Sequence, residues 1–410
     1  MSTDIHGALA RWVDARHAEQ VALLAAIVRL PTDTPPGDNA LAAERIATLL
    51  EARGHAVERH PVDLAALPGY GLKSAVNLVA RKRFGPGGRT IALNAHGDVV
   101  PPGAGWTRPP YGAIVEDGRM YGRGVAVSKS DIAAYAFAVE ALAAAAPPRA
   151  GAVELHVTFD EELGGLAGPA WLLERDIVRP DLAICAGFSY GVVTAHNGCL
   201  HLEATLRGQA AHAATPESGR DAIKAALSVA ARLYALQAEI GSRPSQVPGI
   251  GAPTLNIGTI AGGINANVVP DRAVLAIERR TTPEEDQDAA ERALRAAIES
   301  AAASHDGISV AIRRLLRADP LRPAPGQAPL AALLQAHGSR IFDTSVAVGG
   351  SPLYTDARHY GRAGCPAVLY GAGPRTILEA NAKRADENLL LDDLRRATQV
   401  IAATLRDLLE

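Results

Sequence analysis

Two groups of polar residues follow apolar segments that are typical of buried strands. His96 and Asp98 come directly after residues 90–95, and three adjacent carboxylates occupy residues 160–162 after a second apolar run, 152–158. A neutral imidazole can bind zinc, and a nearby carboxylate can fix its tautomer. Adjacent carboxylates repel one another unless a positive group compensates. The pattern indicates a metal ligand beside a general base, although each group alone also fits an ordinary polar turn.

An α/β architecture would bring these groups together. Short strand patterns alternate with helical patterns, and the carboxyl ends of neighbouring parallel strands are where ligands bind in such sheets. The sequence therefore predicts an α/β domain with a largely parallel sheet and helices on both faces. The predicted strands are 75–80, 90–95, 152–158, 182–185 and 367–370, and the predicted helices include the first thirty residues, 41–51, 131–146 and 170–175.

The middle of the chain has a different pattern. Its order of elements, βαββαβ, is that of a compact α+β unit, which we interpret as a lid domain inserted into the larger domain. We expect residues 1–199 and 316–410 to form one discontinuous domain and residues 200–315 to form the lid. The predicted lid elements are strand 201–206, helix 219–236, strands 254–260 and 273–278, helix 283–303 and strand 308–312.

Composition excludes several classes of function. The 410 residues carry a net charge of −3 with 4% aromatic residues, so neither a nucleic acid nor an anionic membrane is an expected partner. The longest apolar stretch, 132–146, is too short to span a bilayer. Three scattered cysteines and an N-terminus without an export pattern predict a cytoplasmic protein.

Several motifs, taken together in their order and spacing, resemble the M20 family of metallopeptidases and deacylases. That resemblance implies a zinc-binding α/β domain, a lid that forms a homodimer, and hydrolysis of a C–N bond in a small substrate. The motifs are Asn-Ala-His-Gly-Asp-Val-Val-Pro-Pro (94–102), Tyr-Gly-Arg-Gly (121–124), Asp-Glu-Glu-Leu-Gly-Gly (160–165), Gly-Gln-Ala-Ala-His (208–212) and Asn-Val-Val-Pro-Asp (267–271).

The resemblance also implies roles for individual residues. His96 and Glu162 match zinc ligands, Asp98 matches the carboxylate that orients the histidine, and Glu161 matches the general base. In the lid, three more positions match residues that contact the substrate. Of these, His212 would polarise the carbonyl, while Asn267 and Arg280 would hold its carboxylate or carbonyl.

Three family ligand positions carry other residues here. Val127 and Gly187 stand where carboxylates are expected, and Lys383 stands where a histidine is expected. An ammonium beside zinc would be repelled, whereas a lysine paired with Glu162 would replace the positive charge of the metal. We therefore expect a depleted metal site. The neighbours that could substitute as ligands are Asp131, His359 and Asn381.

These observations leave three functions open. The first is an M20-like hydrolase acting on an amide-type bond of a small, carboxylate-bearing, amino-acid-like substrate, with no cofactor or with one weakly bound zinc ion. The second is a metal-independent lyase or isomerase that uses Glu161 as base and Lys383 as electrostatic stabiliser, with Lys129 and His212 as further stabilising groups. The third is a non-catalytic small-molecule binding protein on the same fold.

Overall fold

The structure, a computed structural model, describes residues 4–410. Any part of the predicted N-terminal helix before Asp4 lies outside these residues. Helices α1–α10 span Ile5–Ala15, His17–Val28, Ala40–Glu51, Lys129–Ala145, Pro169–Glu174, Ala222–Gly241, Gln287–Ala303, Gln327–Phe342, Ala357–Arg362 and Leu391–Leu408. Strands β1–β17 span Val57–Pro61, Val76–Gly85, Thr90–His96, Ile114–Glu116, Arg119–Tyr121, Gly151–Thr158, Leu182–Cys185, Gly191–His196, Gly198–Arg207, Ala211–His212, Thr254–Gly262, Val268–Val269, Arg272–Thr281, Ser309–Ala318, Ala347–Ser351, Ala367–Leu369 and Asn388–Leu390.

The chain divides into two compact units. The larger unit comprises the chain through Thr194 together with Pro323–Gly349 and Thr355–Glu410, and the smaller unit comprises Ala195–Arg322 and Gly350–Tyr354. The boundaries expected from the sequence, after residues 199 and 315, differ from this division because they fall inside β9 and β14. Both are strands of the smaller unit's sheet, so this unit begins before residue 200 and continues beyond residue 315 along the chain.

An eight-stranded sheet, in the order β1-β2-β6-β3-β7-β16-β8-β15, forms the centre of the larger unit. Strands β6, β3, β7 and β16 run parallel to one another, while β1 and β2 on one side and β8 on the other pair antiparallel to their neighbours. The predicted α/β fold is confirmed. Its antiparallel outer strands are a feature that the sequence pattern did not distinguish.

Helices cover both faces of this sheet. Successive residues of a strand point to opposite faces, and Leu78 of β2 joins the main core while Val79 packs with Leu172 of α5. The apolar run 132–146 forms α4, whose residues from Ile132 to Leu142 are buried except Glu140. Within residues 4–410, no helix is long and apolar enough to cross a membrane.

The smaller unit is built on an antiparallel sheet in the order β11-β13-β9-β14. Its main elements follow the chain order β9, α6, β11, β13, α7, β14. Leu200 and Leu202 of β9 belong to the core that α6 and α7 cover, whereas His201 and Glu203 point to the opposite face and are only half-buried. The role of this unit as a lid stays a prediction.

Candidate active site

The two polar groups found in the sequence meet at one edge of the large sheet. Strand β3 ends at His96, and the parallel strand β6 pairs Thr158 with it. The carboxylates 160–162 therefore leave the sheet beside His96, and Glu161 begins a short 3-10 turn. Since both strands end at the same edge, the chain places an imidazole and several carboxylates next to each other, as the sequence predicted.

His96 is held by Asp98 and directed toward Glu161. Its Nδ1 lies 3.0 Å from the Asp98 carbonyl oxygen and 3.3 Å from Asp98 Oδ1, and its Nε2 lies 3.9 Å from Glu161 Oε2. Burial lowers the pKa of His96, but Asp98, Glu161 and Glu162 outweigh burial and raise that pKa to about 10. In this arrangement the raised pKa favours the doubly protonated, positively charged form of His96 at neutral pH.

Lys383 pairs with Glu162, as the sequence predicted. The two atoms Lys383 Nζ and Glu162 Oε2 are 2.5 Å apart. Glu162 is almost fully buried, whereas the Lys383 side chain is 56% exposed. Burial and repulsion by Glu161 raise the pKa of Glu162 to about 7, and Lys383 acts in the opposite direction.

Hydrogen bonds to two acidic residues hold the segment that carries Lys383. Glu387 accepts a bond of 2.6 Å from Arg123 and one of 3.1 Å from the Ala126 amide, and Asp386 accepts bonds from Thr107. The motif 121–124 and the Asp-Glu pair 386–387 therefore bind each other. Lys383 itself has a φ of 61°, a backbone conformation that is uncommon for residues other than glycine and that often marks functional sites.

The positions of the expected ligands Val127 and Gly187 provide no ligand atoms from their side chains. A Cβ on Gly187 would lie 2.8 Å from the Tyr370 amide nitrogen, closer than a real Cβ can approach. Val127 lines a small cavity of about 50 Å³ beside His96 and Glu161. A carboxylate at position 187 would thus require the backbone near Tyr370 to move.

Two of the three neighbouring residues that could have substituted as ligands, Asp131 and His359, have hydrogen-bond partners elsewhere, while Asn381 lies at a positive φ of 49°. Asp131 accepts a bond of 2.6 Å from the Ala372 amide, and burial raises its pKa to about 7. The Nε2 atom of His359 lies 3.0 Å from the Gly164 carbonyl oxygen. Across residues 4–410, three or more His, Cys, Asp or Glu ligand atoms converge within 4.8 Å at two places, and neither place includes His96 or Glu162.

Lys129 does not join the site, contrary to the expectation that it could stabilise a developing charge. It is fully buried, its Nζ donates to the Leu30 carbonyl oxygen at 2.7 Å, and burial lowers its pKa to about 7. An amine held by a backbone carbonyl in the interior is a structural group. The helix predicted from residue 131 begins two residues earlier, at Lys129, and the sequence could not show which way this side chain turns.

Asp356 is a member of the site that sequence reasoning missed. Its carboxyl group is buried, neither oxygen has a hydrogen-bond partner, and it lines the 50 Å³ cavity with His96 and Glu161. Burial, followed by repulsion from Asp160 and Glu161, raises its pKa well above the usual range. Asp356 precedes helix α9 and looks like a capping residue in the sequence, yet its side chain makes no capping bond.

The remaining candidates, His212, Asn267 and Arg280, belong to the smaller unit. His212 is exposed, and its Nδ1 accepts a bond of 3.1 Å from the Ala214 amide, which leaves the proton on Nε2. Asn267 is also exposed and lies next to the residue that pairs with His212. Arg280 lies on β13 of the four-stranded sheet, whereas His212 lies in the two-stranded sheet of β10 and β12. Arg280 donates to Glu278 at 2.5 Å and lines a groove of about 660 Å³.

A central, largely parallel sheet with an imidazole and several carboxylates at the ends of its strands is an α/β architecture with a candidate active site. The chain belongs to peptidase family M20/M25/M40, whose sequence profile matches residues 92–407. This membership identifies the protein as a hydrolase and sets aside the interpretation as a non-catalytic binding protein.

Curated relatives share most of the chain. It is 30% identical over 316 residues to a succinyl-diaminopimelate desuccinylase of Paracoccus denitrificans, covering 74% of this chain and 78% of the relative. It is 28% identical over 407 residues to the enzyme of the same name from Rhodospirillum rubrum, covering 95% and 98% of the two chains. These relatives match over both compact units.

Solved structures share the fold. The di-peptidase Dug1p from Saccharomyces cerevisiae has a TM-score of 0.80 at 14% identity and covers 100% of this chain and 99% of its own. An M20 metallo-carboxypeptidase from Sulfolobus solfataricus has a TM-score of 0.78 at 17% identity, with 95% and 99% covered. A dinuclear metal binding M20 peptidase from Bacillus subtilis reaches 0.67 at 16% identity, with 97% and 99% covered.

Proposed function

We propose that this protein hydrolyses an amide-type C–N bond of a small, carboxylate-bearing, amino-acid-like substrate, and that it does so without a two-metal centre. The bond of 2.5 Å between Lys383 and Glu162 is the observation that carries this proposal. The curated relatives support the substrate class, because their name describes removal of a succinyl group from an amino acid. The particular acyl group and amino acid stay open.

The residues present do not fit a dinuclear metal centre. Such a centre needs a bridging carboxylate and several further oxygen or nitrogen ligands. Val127 supplies no donor atom, a side chain at Gly187 would collide with Tyr370, and Glu162 is bonded to an ammonium group. We therefore derive no catalytic step that passes through a metal ion, and we keep a single weakly bound zinc ion only as an alternative.

The electrostatics of the pocket are consistent with this substitution. Glu162 is almost fully buried, and such a carboxylate is stable in its charged form only when a cation lies close by. Lys383 is that cation, although its exposure means that water shares in compensating the charge. A doubly charged ion next to the same carboxylate would displace the ammonium group by repulsion.

The chemistry available to these residues is proton transfer assisted by positive charge. Glu161 takes a proton from water, the water oxygen attacks the substrate carbonyl carbon, and the proton then passes to the departing amine nitrogen as the C–N bond breaks. The roles of His212 at the oxyanion and of Arg280 at the substrate carboxylate remain predictions of the family resemblance.

The energetic cost of working without zinc limits the substrates. Zinc lowers the pKa of bound water from about 15.7 to about 7, which corresponds to roughly 12 kcal/mol of activation. Glu161 and Lys383 together do not replace that amount for an ordinary peptide bond. We therefore propose substrates whose C–N bond is activated, either by a good leaving group or by strain, rather than unactivated dipeptides.

A lyase or isomerase is the second candidate, and Asp356 favours it. This buried carboxyl group has a raised pKa and lines the same small cavity as Glu161. A protonated acid next to a carboxylate base is the arrangement that proton abstraction and return require. In this version Glu161 removes the proton, Asp356 supplies one, and Lys383 stabilises the negative charge that forms between the two steps.

We also propose a cytoplasmic homodimer that associates through the smaller unit. Helix α6 exposes Leu227 and Tyr234, which are 59% and 56% accessible and lie seven residues apart on one side of the helix. Strand β11 is an edge strand of its sheet and exposes Ile260. An exposed apolar helix stripe beside an open sheet edge is a surface that a second copy can cover.

A substrate screen in the presence of a strong chelator tests the proposed function. Purified protein is incubated with the chelator and assayed with activated N-acyl amino acids, unactivated dipeptides and carboxylates that carry an acidic C–H bond. Turnover of an activated acyl compound that survives chelation and is lost in Glu161→Gln supports the hydrolase. Proton exchange or elimination without hydrolysis supports the lyase or isomerase. Turnover that the chelator abolishes and zinc restores contradicts a metal-independent site.

A further inference from the structure

A cluster of three potential metal ligands lies in the smaller unit, away from the residues discussed above. Cys199 and His201 are two residues apart on β9, so their side chains project from the same face of the sheet. Glu278 on the neighbouring strand β13 is the direct register partner of His201. The cluster therefore depends on regular strand pairing and not on a loop conformation.

The three side chains converge on one point. Cys199 Sγ lies 3.2 Å from His201 Nε2 and 3.9 Å from Glu278 Oε1, and His201 Nε2 lies 3.8 Å from Glu278 Oε2. Zinc bonds of about 2.0–2.3 Å in tetrahedral geometry imply ligand separations of roughly 3.3–3.8 Å. The two distances to Glu278 involve different carboxylate oxygens, but one ligand atom from each residue lies within 4.8 Å of the other two. Side-chain rotations can therefore bring the three atoms to the separations that zinc requires.

We propose that Cys199, His201 and Glu278 bind one zinc ion, with a fourth position open to solvent. Thiolate, imidazole and carboxylate are the ligand types that zinc takes in proteins. Cys199 is buried, while the side chains of His201 and Glu278 are 36% and 34% exposed, which leaves one side of the cluster accessible. The site adjoins Arg280, which the resemblance assigns to the substrate, but its three ligands take no part in the proposed catalytic function.

Charge and protonation agree with a divalent ion in this position. One thiolate and one carboxylate neutralise zinc, and the thiol proton passes to solvent when the ion binds. Arg280 donates to Glu278 Oε1 at 2.5 Å while Oε2 faces His201. Its positive charge opposes a divalent ion as that of Lys383 does beside Glu162, so zinc binding requires the guanidinium to turn away from the carboxylate.

A catalytic triad fits the geometry of this cluster less well than a metal site does. In a catalytic triad the cysteine and the acid lie on different ring nitrogens of the histidine, but here Sγ and the Glu278 carboxylate both face His201 Nε2.

The second cluster in the described residues, His6, His337 and Asp407, has Nε2–oxygen distances of 2.8 Å. These are hydrogen-bond lengths, shorter than the separation of ligands around zinc, so that cluster is a hydrogen-bonded clasp.

Cobalt(II) and zinc titrations of the full-length protein test the proposal. Cobalt bound to a thiolate gives an intense near-ultraviolet charge-transfer band, and zinc should displace it at one equivalent per chain. Cys199→Ser should remove the band, whereas Cys365→Ser, which changes a buried cysteine outside the cluster, should retain it. Substituting a ligand should weaken zinc binding about 100-fold or more, because even outer partners of a metal site contribute 10–100-fold.

Because Cys199 is buried, its substitution could disturb folding. His201→Asn and Glu278→Gln lie on the half-exposed face and provide an independent test, with circular dichroism as a check of the fold. Both should weaken zinc binding while the protein stays folded. The proposal is overturned if wild-type protein shows no thiolate band, if the band persists in Cys199→Ser, or if bound cobalt is lost in His337→Gln and not in the variants of the cluster.

Discussion

The ammonium group of Lys383 lies 2.5 Å from the buried carboxylate of Glu162, at the position where the family resemblance places a histidine ligand. The pair joins a loop near the C-terminus to the carboxyl end of the central sheet. Lys383 gives the site a single positive charge, carried on a long, flexible side chain that is partly exposed. Chemistry at this site should therefore depend on the charge of Lys383.

Lys383→Ala should lower turnover strongly. It should change stability little, because Glu162, whose pKa is already raised to about 7, takes up a proton when the cation is removed. Removing one preorganised electrostatic group in an active site typically reduces kcat by about 100-fold or more, whereas an exposed lysine contributes only about 0–1 kcal/mol to folding. Lys383→Arg should retain part of the activity because it keeps the charge. Lys82→Ala, which changes an exposed lysine of β2, is the control and should behave as wild type. Equal activity of Lys383→Ala and wild type would show that the pair is incidental.

Glu161→Gln should abolish turnover while substrate binding and folding persist. Glutamine keeps the shape of the side chain but cannot accept a proton, and general-base catalysis contributes about 100- to 10,000-fold. Steady-state kinetics should show a loss in kcat with little change in KM, and calorimetry should show binding unchanged. A variant that loses binding and keeps kcat would place Glu161 in substrate recognition instead.

Gly187→Asp, which restores the family carboxylate, should destabilise the protein and fail to create a metal site. The new Cβ would lie 2.8 Å from the Tyr370 amide nitrogen and 2.9 Å from the Leu369 carbonyl carbon. Overpacking of this kind costs about 1–3 kcal/mol. Gly241→Ala is a suitable control, because a Cβ added at that residue would have no atom within 4 Å of it. Thermal unfolding measures both, and an unchanged melting temperature in Gly187→Asp would contradict the expected collision.

Stability should fall in mild acid because His337 is buried. Burial lowers the pKa of His337 even though Asp407 opposes this shift. The unfolded chain, with an ordinary histidine pKa near 6.5, therefore binds a proton at higher pH than the native state does, and stability decreases as pH falls below about 6.5. Asp407 adds to the loss at lower pH, because His6 and His337 outweigh burial and lower its pKa.

Denaturant unfolding from pH 7.5 to pH 5 measures this effect. His337→Gln should reduce stability at pH 7.5 and flatten its dependence on pH, because glutamine cannot take up the proton. His17→Gln, on a helix outside the clasp, should leave the slope unchanged. An equal slope in wild type and His337→Gln would show that other groups control the acid sensitivity.

The sequence predicted the elements that position the site better than the contacts inside it. Strands β3 and β6 were predictable because both are short segments rich in apolar residues and followed by a polar group, and this also located His96 and Glu161. The directions of Lys129 and Asp356 were not predictable, since they depend on which distant backbone groups pack nearby. The first thirty residues show the same limit: their single helical pattern is interrupted at Arg16, between α1 and α2.

The exposure of Lys383 shows what a charge count in the sequence leaves out. Balancing one lysine against Glu162 gives neutrality, but the folded site also gathers Asp98, Glu161 and Asp356 around His96. Burial and mutual repulsion of these groups, more than the single pair, determine which of them carry protons. Which of these groups are protonated therefore becomes clear only in the folded site, where the strand ends bring them together.

The zinc content of a variant that lacks the smaller unit's cluster tests the central claim most directly. Cys199→Ser protein, with and without Glu162→Gln, is equilibrated with zinc, desalted and analysed for metal. If Lys383 has replaced the metal centre, both proteins should retain the same small amount of zinc, since none of it depends on Glu162. Two zinc ions per chain that disappear with Glu162→Gln would contradict the substitution of an ammonium group for the metal.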